Sequence, residues 1–336
     1  MKIAVLSPIA WRTPPRHYGP WEQMASNLTE GLFKLGYDVT LFASGDSETA
    51  GKLKSVIPQG YEENRNTDAK VSECLHISHL MEQAGDFDLI HNHFDFLPLT
   101  YSRLIKTPLI TTIHGFSSEK IIPVYKKYNA TSNYVSISDS DRSGDLDYLA
   151  TVYNGINVEN FQFNEFPEDY LLFFGRIHPD KGTSEAIEIA TKSKRKLLIS
   201  GIIQDAEYFK EKVEPFFSDQ IIYLGNAGPE ARNKLLSNAA ALLHPINFNE
   251  PFGLSVAESM MCGTPVIAFN KGSMPELIKN EETGFLVENT NEAVEAVKNI
   301  SQLKRENCRN WSVSKFSQDK MVNDYVNCYK TILRHH

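Results

Sequence analysis

Short apolar runs alternate along the whole chain with stretches in which apolar residues recur every three or four positions. Residues 3–6 predict a buried strand, and Met24, Leu28, Leu32 and Leu35 then repeat at helical spacing until Gly36, where a helix stops. A strand at 39–43, a polar loop and a helix near 71–85 follow, then strands at 89–91, 109–113 and 134–137. After Val152 the alternation restarts. Strands are predicted at 171–174, 196–200, 221–224, 241–244, 266–268 and 285–287, and helices from Thr183, near 206–213, near 230–237 and from Leu254. Residues 313–332 carry one more helical pattern. Strand–helix alternation of this kind predicts parallel, doubly wound sheets covered on both faces, with ligands at the carboxyl ends of the strands.

The break in the pattern also divides the chain. Tyr153-Asn154-Gly155-Ile156-Asn157 and the polar stretch 158–169 read as a linker. This predicts an N-terminal α/β domain over 1–157 and a second over 158–312, with the terminal segment 313–336 packing back on the first. A length of 336 residues suits two domains at roughly 100–200 residues each.

Composition excludes several classes. Hydrophobic residues are 41% and charged ones 23%, too apolar for disorder. The longest apolar runs are five residues, at 170–174 and 239–243, whereas a membrane-spanning helix needs about 20. A net charge of −8 argues against broad binding to nucleic acid. Met1-Lys2-Ile3-Ala4-Val5-Leu6 leads straight into a strand, so no leader is expected. Cys74, Cys262, Cys308 and Cys328 show no paired spacing, which fits reduced thiols and a cytoplasmic location.

Four strings carry candidate chemistry. In Asn249-Glu250-Pro251-Phe252-Gly253-Leu254-Ser255-Val256-Ala257-Glu258, a carboxylate precedes a helix start and a second lies in its second turn. A helix start presents N–H groups to a phosphate, so the amides of Phe252, Gly253 and Leu254 are expected to face one, and Glu250 and Glu258 suit hydroxyls on either side of it. That combination describes a nucleotide-sugar pocket, although a solvated helix end with two ordinary glutamates has the same string. Phe174-Gly175-Arg176-Ile177-His178-Pro179-Asp180-Lys181-Gly182 places two cations just after a buried strand, where they can neutralise a diphosphate or merely decorate a surface loop. Pro14-Pro15-Arg16-His17-Tyr18-Gly19-Pro20-Trp21-Glu22 is a glycine-containing loop that opens a helix, and it is not a dinucleotide fingerprint. Thr111-Thr112-Ile113-His114-Gly115-Phe116 sets a histidine at a strand end. His91 and His93, with Asp95 nearby, share a strand face but lack a third ligand at useful spacing, so no metal is expected.

Together these strings resemble the retaining glycosyltransferases of family 4, whose GT-B fold sets two Rossmann-like domains across a cleft. The resemblance covers nearly the whole chain. It includes Tyr18-Gly19, GLFKLGYDVTLFASGDS at 31–47, Ile113-His114-Gly115, YNGINVENF at 153–161, FGRIHPDKG at 174–182, the Glu-x7-Glu pair and GTPVIAFNKGSMPELI at 263–278. It implies that Arg176 and Lys181 grip the donor diphosphate, that Glu250 binds the donor sugar and that Glu258 binds the ribose. The amides of Phe252, Gly253 and Leu254 are then expected to hold sugar and phosphate, with His114 beside the sugar and Gly19 near phosphates and acceptor. Gly201 and Gly225 are expected near the nucleobase. Relatives often carry two glycines in the first loop; here Pro20 follows Gly19, removing an amide donor. Asn157 stands where the family commonly has Asp.

The implied activity is transfer of a hexosyl or pentosyl group from a nucleoside-diphosphate sugar, UDP- or GDP-linked, to an acceptor hydroxyl with retention. No cofactor and no metal are expected. The expected partners are that donor and a carbohydrate or small-molecule acceptor, with no nucleic acid and at most loose membrane association. Two other readings stay open: a nucleotide-sugar-binding protein without catalysis, and an epimerase or phosphorylase-type enzyme on the same fold.

Overall fold

The structure, a computed structural model, describes residues 1–335 apart from His17, Arg65 and Ser117, and leaves out the side chain of His335. His17 of the first-loop string and His336 therefore lie outside the described residues. The chain forms two units, one of residues 1–155 with 318–336 and one of residues 156–317.

The first unit is built on a sheet of seven parallel strands. In chain order they are β1 (Lys2–Leu6), β2 (Asp38–Phe42), β3 (Lys52–Lys54), β4 (Leu89–Asn92), β5 (Leu109–Ile113), β6 (Asn133–Ser136) and β7 (Tyr148–Thr151). Their order across the sheet is β3-β2-β1-β4-β5-β6-β7, so the strand order, not the strand direction, reverses between β1 and β4. β1, β4 and β5 are almost wholly buried because helices cover both faces, and the polar His91, Asn92, Thr111 and Thr112 are buried with them. Helix α1 (Pro20–Lys34) turns Met24, Leu28 and Leu32 into the core, and its last basic residue, Lys34, lies at the negative end of the helix dipole. Helix α2 (Ala69–Met81) starts earlier than its apolar pattern suggests, because the Asp68 carboxylate caps it by accepting the Val71 amide at 3.0 Å. A short α3 (Ile122–Tyr128) was not expected.

The second unit has six parallel strands: β8 (Tyr170–Phe174), β9 (Lys196–Ser200), β10 (Ile221–Tyr223), β11 (Ala241–His244), β12 (Val266–Phe269) and β13 (Gly284–Val287). They are ordered β10-β9-β8-β11-β12-β13, with reversal between β8 and β11. Around them lie α4 (Thr183–Ser193), α5 (Ala206–Tyr208), α6 (Pro229–Asn238), α7 (Leu254–Met261), α8 (Met274–Leu277), α9 (Thr290–Asn299) and α10 (Arg305–Phe316). One face of the core joins Leu171, Phe173, Ile199, Leu243 and Ile267 from the strands to Ile187 and Ala190 of α4 and Ala293 and Val297 of α9.

Three expectations change. The helix near 206–213 is α-helical only to Tyr208, then widens into a π turn and tightens around Pro215. The edge strands β3 and β7 were not expected: β3 has one apolar residue, Leu53, and the short apolar run of β7, Tyr148-Leu149-Ala150, is only partly buried. The terminal pattern at 313–332 is two helices: α10 ends at Phe316, Ser317 is extended, and α11 (Gln318–His335) begins in the first unit. There Gly31 of α1 lets α11 approach, since a Cβ at that position would lie 2.4 Å from Val322 Cγ2. Tyr325 and Tyr329 tie α11 to the sheet through Thr112 at 2.7 Å and His91 at 2.6 Å. Among the described residues no helix is long and apolar enough to cross a membrane.

Candidate active site

An open α/β sheet binds ligands where its strand order reverses, because the loops on either side of that point part. In the second unit the two most informative strings leave the sheet there: Arg176 and Lys181 follow β8, and Glu250 to Glu258 follow β11.

Backbone geometry sews these two exits together. Ile177 is fully buried, and residues 179–181 form a tight turn capped by His178 Nδ1, which accepts the Asp180 amide at 3.2 Å. Gly182 follows at φ 73°, and a Cβ there would lie 1.8 Å from the Pro245 carbonyl oxygen, so glycine alone lets the turn rest against the β11 exit. The Asn247 amide donates to the Asp180 carbonyl at 2.7 Å. The result brings the Lys181 ammonium onto Glu250 Oε2, with the Phe248 ring 4.7 Å from the same nitrogen. Lys181 and Glu250 side chains are 14% and 13% exposed.

Burial alone would raise the Glu250 carboxyl, but His244 and the Lys181 ammonium outweigh it and hold its pKa at about 2. His244 Nε2 stands 3.7 Å from the same oxygen, beyond the reach of a direct hydrogen bond, and burial lowers its own pKa; Lys181 makes the direct contact and His244 supports it. Glu250 is thus a fixed anion that only accepts hydrogen bonds, as a group reading hydroxyls requires.

The loop after Glu250 is equally constrained. Gly272 is at φ 54°, and a Cβ would come within 2.4 Å of the Glu250 nitrogen. The Ser273 hydroxyl donates to the Phe252 carbonyl at 2.6 Å, and the Phe252 ring is buried edge-on to Phe316. Gly253 opens α7 at φ 93°. The amides of Gly253 and Leu254 have no partner among the described residues, so the positive end of α7 presents donors to a ligand. Glu258, buried in the second turn, pairs with Arg232 of α6 at 3.2 Å. Burial raises its pKa and Arg232 pulls it back.

Gly201 and Gly225 follow β9 and β10. A Cβ on Gly201 would lie 1.7 Å from the Gly175 carbonyl oxygen, and the Gly201 amide donates to the Gly225 carbonyl at 3.0 Å. Gly175, Gly201 and Gly225 thus bring three adjacent strand exits together backbone against backbone, with the Tyr223 and Ser200 hydroxyls donating to the Gly201 and Gly225 carbonyls at 2.9 Å. Arg176 itself turns to Gln204 and pairs with neither Glu250 nor Glu258. Sequence reasoning missed His244 and Arg232. The polar end of the apolar run Ala241-Leu242-Leu243-His244 was a usable signal for the first, whereas Arg232 lies in a polar helix and carried none.

In the first unit, Gly19 caps α1, and a Cβ there would lie 2.9 Å from both Glu22 Oε2 and Pro15 Cβ. Pro20 fills the first helical position, where an amide has no helical partner in any case, so its cost is one fewer donor at this terminus. Trp21 stacks on His114, with ring centroids 5.6 Å apart. His114 Nε2 meets His93 Nδ1 at 2.9 Å, and burial holds both rings neutral, His114 down to a pKa of about 3. His93 Nε2 is buried without a partner among the described residues. A bare ring nitrogen there is cheaper than an orphaned N–H, so the His93 proton resides on Nδ1 and points at His114 Nε2. His114 then carries its proton on Nδ1 and acts as a donor. The metal idea for His91 meets a structural answer: Tyr329 and Thr112 hydroxyls occupy its two nitrogens at 2.6 and 2.8 Å.

A cavity of 970 Å³ in the second unit opens at the opposite, amino ends of β8, β9, β11 and β12. Its Arg305 bonds the carbonyls of Asn164, Ser237 and Ala239 and the Thr264 hydroxyl, which makes it a structural brace.

Solved structures share this architecture across essentially the whole chain. AviGT4, a glycosyltransferase involved in avilamycin A biosynthesis, aligns with a TM-score of 0.73 at 23% identity, covering 100% of this chain and 99% of its own. Anabaena HepE in complex with UDP aligns at 0.76 and 15%, covering 98% and 100%. The fold is therefore GT-B, and the protein is an enzyme of the glycosyltransferase class. Residues 22–160 match the model of Glycosyltransferase Family 4, and residues 157–316 match that of Glycosyl transferases group 1. The chain belongs to this group 1, family 4 lineage of glycosyltransferases. An uncharacterized glycosyltransferase of Methanocaldococcus jannaschii is 23% identical over 98% of both chains.

Proposed function

We propose that the protein transfers a glycosyl group from a UDP- or GDP-linked sugar to an acceptor hydroxyl, with retention at the anomeric carbon and without a metal ion. The Lys181–Glu250 pair beside the free amides of α7 carries this reading, because it places a cation, a fixed carboxylate and a helix N-terminus at one strand-order reversal. The UDP held by HepE supports a nucleoside-diphosphate donor.

As the bond from the anomeric carbon to the diphosphate oxygen breaks, negative charge grows on phosphate and positive charge on the sugar ring. Lys181, Arg176 and the amides of Phe252, Gly253 and Leu254 stabilise the diphosphate, and they do so most in the transition state. Glu250 accepts hydrogen bonds from the sugar and Glu258 from the ribose. Gly201 and Gly225 leave room for the base. His114 and Gly19 keep the roles the resemblance gives them, beside the sugar and the phosphates. The acceptor oxygen attacks from the face the diphosphate leaves, and its proton passes to the departing phosphate oxygen. The products are the glycosylated acceptor and the nucleoside diphosphate.

The test is transfer with product analysis by NMR. Glu250→Ala should abolish transfer while the protein stays folded, and the product of the unmodified enzyme should keep the donor's anomeric configuration. Full activity of Glu250→Ala, an inverted product or strong inhibition by EDTA would each overturn the corresponding part of the reading.

A further inference from the structure

The first sheet also has a strand-order reversal, between β1 and β4, and a cavity of 480 Å³ opens beside it. That volume lies in the roughly 300–1,000 Å³ range of small-molecule sites. The loops after β1 and β4 supply most of its wall, together with the start of α1 and residues Tyr61 and Glu73. Its chemistry differs from that of the second unit. Trp11, Trp21 and Tyr61 give it flat aromatic surfaces, while Glu22, Glu73 and Asp95 give it three carboxyl groups. Among the described residues, no Lys, Arg or His lines it.

None of the three carboxyl groups is paired with a cation among the described residues. Glu22, 3% exposed, accepts the Trp11 amide at 3.3 Å; Glu73 accepts the Tyr61 hydroxyl at 3.1 Å; Asp95 accepts the Tyr125 hydroxyl at 2.5 Å. A carboxylate has about four acceptor positions, so each keeps capacity for a ligand's donors. Burial raises all three pKa values, Glu22 to about 7 and Asp95 to about 6, as expected of carboxyl groups facing an apolar space with no counter-charge.

The resemblance already sets Gly19, which lines this cavity, near the acceptor; we propose that the cavity selects the acceptor by charge, the group docking there being a sugar-like polyol, uncharged or amine-bearing, with no phosphate or carboxylate. Aromatic faces cover the C–H surface of a saturated ring, and the carboxyl groups take its hydroxyl or ammonium protons. An anionic group would enter a pocket of like charge without a cation to meet it. Naming the ligand an acceptor rests on the transfer reaction proposed above; the binding preference does not.

The experiment titrates the full-length protein with methyl glucoside, glucosamine, glucuronate and glucose 6-phosphate, followed by tryptophan fluorescence and saturation-transfer NMR, with UDP titrated in parallel. Glucosamine should bind tightest, the glucoside next, and both anions at least about tenfold more weakly than the glucoside, since one close charge shifts such equilibria by about a pKa unit or more. The double variant Glu73→Gln/Asp95→Asn keeps the hydroxyl partners, and should lose the glucosamine preference and admit the anions. Anions binding as well as the glucoside, or none of the four probes binding, overturns the proposal. If UDP still binds in that case, the donor reading stands; failure of UDP itself to bind strikes that reading instead.

Discussion

Replacing Lys181 by Met tests the centre of the site through stability, without a substrate. Glu250 has its pKa held at about 2 against an ordinary 4.5, a difference worth about 3 kcal/mol between its charged and neutral forms. The folded pKa lies below the unfolded one. Its stabilising contribution is therefore complete above pH 4.5 and is lost as pH falls toward 2. Without the ammonium only His244 opposes burial at the carboxyl, so its hold weakens and the variant's deficit is largest at neutral pH and shrinks in acid. Breaking a buried pair costs about 3–5 kcal/mol. With both side chains slightly exposed, about 3 kcal/mol is expected at pH 7. At about 2–4 °C per kcal/mol, the second unit should melt roughly 6–12 °C earlier. Urea and thermal unfolding followed at Trp311, with Trp11 and Trp21 replaced by Phe, reads that unit alone. The gap between Lys181→Met and its parent should close toward pH 3, and Lys181→Met/Glu250→Gln should regain most of the loss. A deficit under about 1 kcal/mol, or one unchanged between pH 7 and pH 3, would refute the argument.

Glu22→Gln should stabilise the first unit at pH 8 by up to about 3 kcal/mol. Burial raises the Glu22 pKa to about 7, so its contribution is full below 4.5 and lost as pH rises through 7; melting curves across that range should flatten in the variant. Nitrogen-15 spectra should show His114 protonated on Nδ1, and His93→Leu should shift its tautomer balance; a proton on Nε2 in the parent would contradict the His93 hydrogen-bond assignment. Gly201→Ala should cost more stability than Gly225→Ala, because its Cβ meets the Gly175 carbonyl at 1.7 Å, whereas at Gly225 only the positive φ of 75° is strained. Equal losses in chemical denaturation would contradict that geometry.

How much of this was legible follows from what each residue depends on. The buried strands announce themselves because both faces are covered and their apolar runs are continuous, as at Tyr170–Phe174. β3 and β7 are short and half-exposed at sheet edges, and nothing in Lys52-Leu53-Lys54 distinguishes a strand from a loop. The break between α10 and α11 hides inside one unbroken helical pattern, because the chain changes units at Ser317 without a glycine or proline to mark it. At the site, Lys181 and Glu250 were visible as residue types, but their contact depends on Gly182 resting against Pro245, 63 positions away in sequence. Arg232 and Glu73 were silent, and Glu22 and Asp95 visible only as residue types, for the same reason: their meaning is a matter of which distant atoms do or do not face them.

The two strand-order reversals show what fold alone leaves undecided. Both sheets are parallel, both reverse once, and by the general rule both offer a binding position at that point. Yet the loops after β8 and β11 hold Arg176, Lys181 and a helix start with free amides, a set that favours anions. The loops after β1 and β4 hold aromatic rings and uncompensated carboxyl groups, a set that disfavours them. A chain that needed two copies of one ligand would have no reason to give the same architecture opposite electrostatics. The reaction proposed above supplies one, because its diphosphate-bearing donor and hydroxyl-bearing acceptor must each be held where the other binds poorly, and like-charge placement is the direct physical means of keeping them apart.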